Sequence, residues 1–106
     1  MRRRTETGLK RIFERNGYAV VGLGGSGYVL AGNRRSIYIV LPKRTKRKRI
    51  TIPEKAVRSL IETGEKFYAL PVIAVRFGRR KWILREISRP GRVTVSIDEE
   101  SNLALG

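Results

Sequence analysis

The chain has 106 residues, of which 24 are Lys or Arg and 9 are Asp or Glu, so its formal net charge is +15. This length predicts one domain over residues 1–106 with a modest core, and a hydrophobic fraction of 41% suits a folded globule. A charge this large repels itself in the compact state, so we expect a polyanionic partner, with nucleic acid favoured over an anionic membrane surface.

The composition also excludes several kinds of chemistry. There is no Cys and no His, which removes disulfides, thiolate nucleophiles, zinc sites and imidazole catalysis. No apolar run is long enough to span a bilayer, and the start Met-Arg-Arg-Arg lacks the apolar segment that a secretory signal carries. We therefore expect a cytoplasmic protein with no membrane partner.

The first part of the chain predicts a helix followed by strands. Residues 1–4 are a basic arm that we expect to be loose, and residues 5–15 have the spacing of an amphipathic helix with Thr5 as its N-cap. Three strands are expected next, the last two forming a hairpin, over residues 18–21, 29–31 and 37–41.

The segment Gly22–Gly27 has the spacing G-x-G-x-x-G of a dinucleotide-binding fingerprint. That fingerprint requires a helix opening on its glycines and an acidic residue about 20 residues further on. Here a strand follows, and the position further on falls in a basic run. We therefore interpret the segment as a glycine loop between two strands.

The stretch from Ile37 to Arg49 joins an apolar run to a basic one. The run Ile37–Leu41 predicts a central strand buried on both faces, which we expect Pro42 to end. All residues from Lys43 to Arg49 except Thr45 are Lys or Arg. The strand thus leads directly into the strongest positive charge of the chain, and an anion is expected to bind at its end.

The second part of the chain predicts one helix and three strands. The helix should begin at Pro53 and be weakened or ended by Gly64. The strands are expected over residues 70–77, 82–87 and 93–97, the last at the edge of the sheet, and the tail 98–106 is expected to be loose. The order of elements predicts an α/β domain with a mixed sheet flanked by helices.

Four segments carry a resemblance to a known family, over residues 9–21, 29–33, 70–77 and 82–88. With these segments in the same order and spacing, residues 4 to 88 resemble the archaeal Holliday junction resolvases of the restriction-endonuclease-like nuclease superfamily. The resemblance implies a central sheet of about five strands, a two-fold homodimer, binding to four-way DNA junctions, and a role in DNA recombination and repair.

The resemblance also implies where catalytic residues should lie. The family holds a divalent metal with an acid in the first helix, an Asp opening the strand before the hairpin turn, and Glu-x-Lys at the end of the next strand. These positions fall on Glu6, Tyr28, Leu41 and Lys43, so Glu6 and Lys43 match while two metal ligands are replaced. Tyrosine and leucine do not hold Mg²⁺ at neutral pH. We therefore predict no catalytic residue, no metal and no cofactor.

The expected activity is binding of branched or duplex DNA through phosphates, without cutting. Together with the turn Arg79–Lys81, the basic residues should form one shared surface. The predicted DNA contacts are Arg2, Arg3, Arg4, Arg34, Arg35, Lys43, Arg44, Lys46, Arg47, Lys48 and Arg49.

Alternatives remain at this stage. Glu6, with backbone carbonyls or acids of a partner subunit, could hold Mg²⁺ and support an active resolvase or another structure-specific endonuclease. The chain could instead be an accessory subunit of an active resolvase relative, or bind RNA. Tyr28 could stack on a base or pack against Tyr38, and Trp82 is expected in the core or a dimer interface.

Overall fold

A computed structural model describes residues 4–103 and 105, and the side chains of that part from residue 8 onward. Within it the chain forms nine elements. They are α1 (Arg4–Arg15), β1 (Ala19–Leu23), β2 (Tyr28–Gly32), β3 (Ile37–Thr45), β4 (Arg49–Ile52), α2 (Glu54–Lys66), β5 (Leu70–Phe77), β6 (Trp82–Glu86) and β7 (Val93–Ser96).

Five of the strands form one mixed sheet in the order β1-β2-β3-β5-β6. The pair β3–β5 is parallel, with Val40 opposite Val72, and the other pairs are antiparallel. The hairpin between residues 29–31 and 37–41 is confirmed, and α1 and α2 pack against opposite faces of the sheet. The predicted α/β fold with a mixed sheet of five strands is therefore confirmed.

The face covered by α1 holds most of the aromatic core. Leu9 and Phe13 are fully buried, and the rings of Phe13 and Tyr18 meet edge to face with centroids 5.8 Å apart. Tyr38 of β3 completes this group at 5.7 Å from Tyr18. Trp82 is buried in the same cluster, so its predicted place in the core is confirmed.

The face covered by α2 is aliphatic, and Gly64 allows the close approach of this helix. The cluster includes Val57, Leu60 and Ile39. A β-carbon at Gly64 would lie 2.8 Å from the carbonyl oxygen of Ala69. The helix continues to Lys66, so Gly64 does not end it, and the glycine allows close packing.

Strand β3 does not stop at Pro42 as expected. It continues to Thr45, with Pro42 opposite Ala74 and Thr45 opposite Phe77 of the parallel strand β5. Within the described residues, β2 pairs with β3 only as far as Val40. Pro42 therefore has a strand neighbour on one side only, where a missing backbone N–H is tolerated.

The last strand and the tail also differ from expectation. Strand β7 pairs with β4 in a separate two-stranded sheet and is not an edge of the main sheet. The tail is not loose over residues 98–103. Asn102 N–H donates to the Leu84 carbonyl at 3.0 Å, and the Leu84 and Glu86 amides donate to the side chains of Ser101 and Asn102. Polar side chains thus satisfy the backbone of β6, which a simple count of apolar residues does not reveal.

Three smaller points concern helix starts and the termini. Helix α1 already includes Arg4 and Thr5, so Thr5 is not its cap, and residue 4 belongs to the helix and not to an arm. Pro53 is the N-cap of α2 and not its first residue. Arg2 and Arg3 lie outside the described residues, and no helix in the described part is both long and apolar enough to cross a membrane.

Candidate nucleic-acid interface

Strand β3 carries the chain from the core to the basic surface. Residues 38–40 are buried, while Lys43 and Arg44 are exposed on the same strand. Lys43 lies opposite Val75 on the α2 face, and Arg44 lies opposite Arg76 on the α1 face. The two faces of the sheet therefore both become basic at this end.

The basic run after β3 is a loop fixed at both ends. The Arg47 amide donates to Thr45 Oγ1 at 3.0 Å, and the Ile97 amide donates to the Lys48 carbonyl at 2.8 Å. Lys46, Arg47 and Lys48 are exposed between these bonds, and Arg49 begins β4. The expected anion site is thus a backbone-anchored loop carrying exposed cations.

The turn between β5 and β6 adds to this end of the sheet. The Gly78 amide donates to the Thr45 carbonyl at 2.8 Å, which ties the turn to the end of β3. Arg79, Arg80 and Lys81 are exposed in the turn. The basic loop after β3 and the basic β5–β6 turn therefore lie together, as the predicted shared surface requires.

Arg34 and Arg35 are not part of that surface. They lie in the turn before β3, where Asn33 Oδ1 accepts hydrogen bonds from the Arg35 and Ser36 amides. Arg35 and Lys43 are eight positions apart in the chain, which corresponds to roughly 25 Å along a strand. The prediction that these arginines share one continuous surface with the basic loop is therefore wrong, because β3 places them at its opposite end.

Two residues of the interface were missed by sequence reasoning. Arg76 sits in an otherwise apolar strand, and Arg15 ends α1, so neither stands in a basic run. Both line the same cleft as the turn 79–81. The signal that could have found Arg76 is its register with Arg44, which the parallel pairing of β3 and β5 creates.

Packing residues occupy two of the positions at which the resemblance implies metal ligands. Tyr28 and Leu41 are half-buried and pack against the α2-face cluster. Tyr28 Oη donates to Ser59 Oγ at 3.0 Å. Tyr38 belongs to the α1-face cluster, so the suggested packing of Tyr28 against Tyr38 is wrong.

The donor groups at this place do not suit a divalent metal. A phenol and an alkyl side chain replace two carboxylates, whereas Mg²⁺ is bound by carboxylate oxygens and water. Among the residues described, no group of three or more His, Cys, Asp or Glu side chains comes together. Glu6 lies in α1, but its side chain is outside the described part, as is that of Arg4.

The five-stranded mixed sheet with a helix on each face defines a restriction-endonuclease-like nuclease fold. The chain is similar to the crystallised Hjc of the archaeal hyperthermophile Archaeoglobus fulgidus, a Holliday junction resolvase, with a TM-score of 0.75 and 19% identity over 88% of this chain and 81% of that one. Residues 2–106 match the family described as archaeal Holliday junction resolvase (hjc), and the chain belongs to that family.

Proposed function

We propose that this member of the family binds branched or duplex DNA through phosphate contacts and does not cut it. The observation that carries the proposal is the packing of Tyr28 and Leu41 where the family has metal ligands. Tyr28 is engaged with Ser59 of α2, so its oxygen serves the fold. A metal that activates water and stabilises the attacked phosphate lacks its carboxylate ligands here.

The charge around the site supports binding. Between residues 15 and 53 the sequence has no Asp or Glu, while Lys43 and the loop 46–48 project cations. Losing two carboxylates at Tyr28 and Leu41 also removes negative charge from this end of the sheet. Such a surface attracts the phosphates of DNA of any sequence, and contacts to the bases contribute little to affinity. The family name points to four-way junctions as the DNA to test first.

We also propose a homodimer, as the family resemblance implies. The end of α2 and the start of β5 expose apolar side chains, with Phe67 at 41%, Tyr68 at 92% and Leu70 at 43%. A second copy covering this surface would bury them. Sedimentation equilibrium of Tyr68→Glu with Leu70→Glu should show a monomer, whereas an unchanged mass would place the interface elsewhere. Mass measurement after mixing with an active resolvase would reveal pairing with such a relative.

The decisive experiment compares a four-way junction with a linear duplex of the same sequence. Binding is titrated against salt, and each phosphate contact should contribute about −0.9 to the slope of log K against log salt. The same DNA is then incubated with Mg²⁺ or Mn²⁺, and intact strands are expected. A slope near zero would refute DNA binding, and cleavage that disappears in Glu6→Ala would refute the non-cutting assignment.

A further inference from the structure

A second basic feature lies on the α1 side of the sheet, in a cleft between α1 and the β5–β6 hairpin. Its volume is about 440 Å³. This volume is within the range of ligand-binding clefts and exceeds what a single phosphate requires. The positions of Lys43 and the loop 46–48 do not line it.

The cleft is lined by cations. Arg15, Arg76, Arg79, Arg80 and Lys81 surround it, and no carboxylate lines it among the side chains described. Glu14, which precedes Arg15 in α1, is paired with Lys10 at 3.9 Å. The cleft therefore has a charge that an anion would neutralise.

Arg76 is held in place by the turn that it faces. Its Nε donates to the Arg80 carbonyl at 3.0 Å, and one terminal nitrogen approaches the Arg79 carbonyl at 3.5 Å. The other terminal nitrogen, Nη1, points toward Gly8 of α1, at 3.7 Å from where a β-carbon of that residue would be. The guanidinium is thus oriented with one end directed into the cleft.

Trp82 supplies a second donor beside the same glycine. The residue is 8% exposed, and its Nε1 is buried with no hydrogen-bond acceptor among the described residues. Nε1 lies 3.4 Å from the position of a β-carbon on Gly8. A buried N–H without an acceptor is unfavourable, and this one would gain a partner if an oxygen entered.

We propose that the cleft is a phosphate pocket in which one phosphate oxygen occupies the space beside Gly8. There it accepts hydrogen bonds from Trp82 Nε1–H and Arg76 Nη1–H, while Arg15 and the turn 79–81 neutralise the charge. Both nitrogens lie within 3.7 Å of one point next to Gly8, so a single oxygen in the cleft near that point can accept from both after small side-chain movements. The ligand is a phosphate carried by a DNA strand, and this source of the phosphate rests on the proposed function.

The test uses Trp82 as its own reporter, because it is the only tryptophan in the chain. Its fluorescence is followed while inorganic phosphate replaces chloride at constant ionic strength, and a saturable change is expected. Gly8→Ala adds a methyl group beside the two donors and so obstructs the approach of the oxygen. The added carbon makes only ordinary contacts of 3.4 Å or more, and alanine favours a helix over glycine, so folding should be retained.

Gly8→Ala and Arg76→Gln should each weaken phosphate binding about tenfold, the effect of losing a charge-assisted hydrogen bond. Trp82→Phe removes the N–H but keeps an aromatic ring, and its phosphate affinity is measured by calorimetry. Lys55→Gln, an exposed change on α2, is the matched control and should leave phosphate affinity unchanged. Thermal unfolding of each variant identifies any loss of folding.

A parallel titration with DNA distinguishes failure of the phosphate pocket from failure of the proposed function. A duplex should also alter Trp82 fluorescence, and Gly8→Ala should reduce that change. Tight DNA binding with a silent Trp82 and no effect of Gly8→Ala would overturn the pocket and leave DNA binding intact. A response to inorganic phosphate without any DNA binding would overturn DNA as the source of the phosphate. If chloride changed the Trp82 fluorescence as much as inorganic phosphate does, the pocket would be overturned altogether.

Discussion

Tyr28 Oη donates a hydrogen bond to Ser59 Oγ at 3.0 Å, which joins the first residue of β2 to the middle of α2. Leu41, which is also half-buried, packs against the same α2-face cluster as Tyr28. The position at which the family resemblance implies a metal ligand therefore connects a strand to a helix.

The first prediction concerns that contact. Tyr28→Phe and Ser59→Ala should each lower the free energy of unfolding by about 0.5–1 kcal/mol, because each removes the same partly solvated hydrogen bond. In the double variant the two losses should not add. Urea unfolding of the four proteins gives the coupling energy. Fully additive losses would show that the hydrogen bond does not contribute to stability.

The second prediction is that carboxylates at these two positions create a metal site. Tyr28 precedes Val29 and Leu41 follows Val40. Because those two valines are paired on antiparallel strands, Tyr28 and Leu41 occupy the next cross-strand position, where β-carbons are about 5 Å apart. Tyr28→Asp combined with Leu41→Glu should therefore bind Mn²⁺ in calorimetry, while the parent chain and each single variant bind far more weakly. Equal Mn²⁺ binding by the parent would contradict the proposed loss of the metal site.

The third prediction separates the basic loop from general positive charge. Lys46→Ala with Lys48→Ala removes two exposed charges from the loop, whereas Lys55→Ala with Lys66→Ala removes the same charge from α2. If both loop lysines contact phosphates, the salt slope should fall by about 1.8 in the loop variant only. Equal changes in the two double variants would show that net charge, and not the loop, controls binding.

Local sequence patterns predicted those elements of the fold that depend on residues near one another in the sequence. The apolar run 70–77 matches the bounds of β5, and the hairpin of β2 with β3 follows from two apolar runs joined by a polar turn. Pro42 misled because proline usually ends a central strand, and only the tertiary arrangement shows that β3 has lost one neighbour there. Strand β7 and the tail depend on contacts distant in sequence.

The site was predictable only in part for the same reason. The positions of Tyr28, Leu41 and Lys43 came from the family resemblance, and their placement on the α2 side came from the structure. The basic run 43–49 is visible in sequence, but its separation from Arg34 and Arg35 depends on the length of β3. Arg76 carries no sequence signal, since a single charge in an apolar strand has many explanations.

The fourth prediction tests the attachment of the tail to β6. Asn102 accepts from the Glu86 amide at 2.7 Å and donates its own backbone N–H to the Leu84 carbonyl. Asn102→Ala should lower stability by about 1–2 kcal/mol, because the Glu86 amide loses its acceptor. Hydrogen exchange of the Glu86 amide should accelerate more than that of Val75 in the central strand. Unchanged exchange at Glu86 would indicate that the tail does not protect β6.

The fifth prediction concerns stability at alkaline pH. Burial raises the pKa of the Tyr38 phenol above its ordinary value of 10.0; the neighbouring Tyr18 phenol adds to this, and a hydrogen bond to Ser36 partly opposes it. Glu86 is the acid whose charge also raises the pKa of Tyr38. The folded protein therefore holds this proton more tightly than the unfolded chain does.

Because the pKa of Tyr38 is raised by folding, its contribution to stability is complete below about pH 10 and is lost as the pH rises through that value and toward the folded-state pKa. Tyr38→Phe should remove part of this alkaline decline, since phenylalanine has no proton to lose. Urea unfolding between neutral and alkaline pH measures the effect. An identical decline in Tyr38→Phe and the parent would assign alkaline unfolding to other groups.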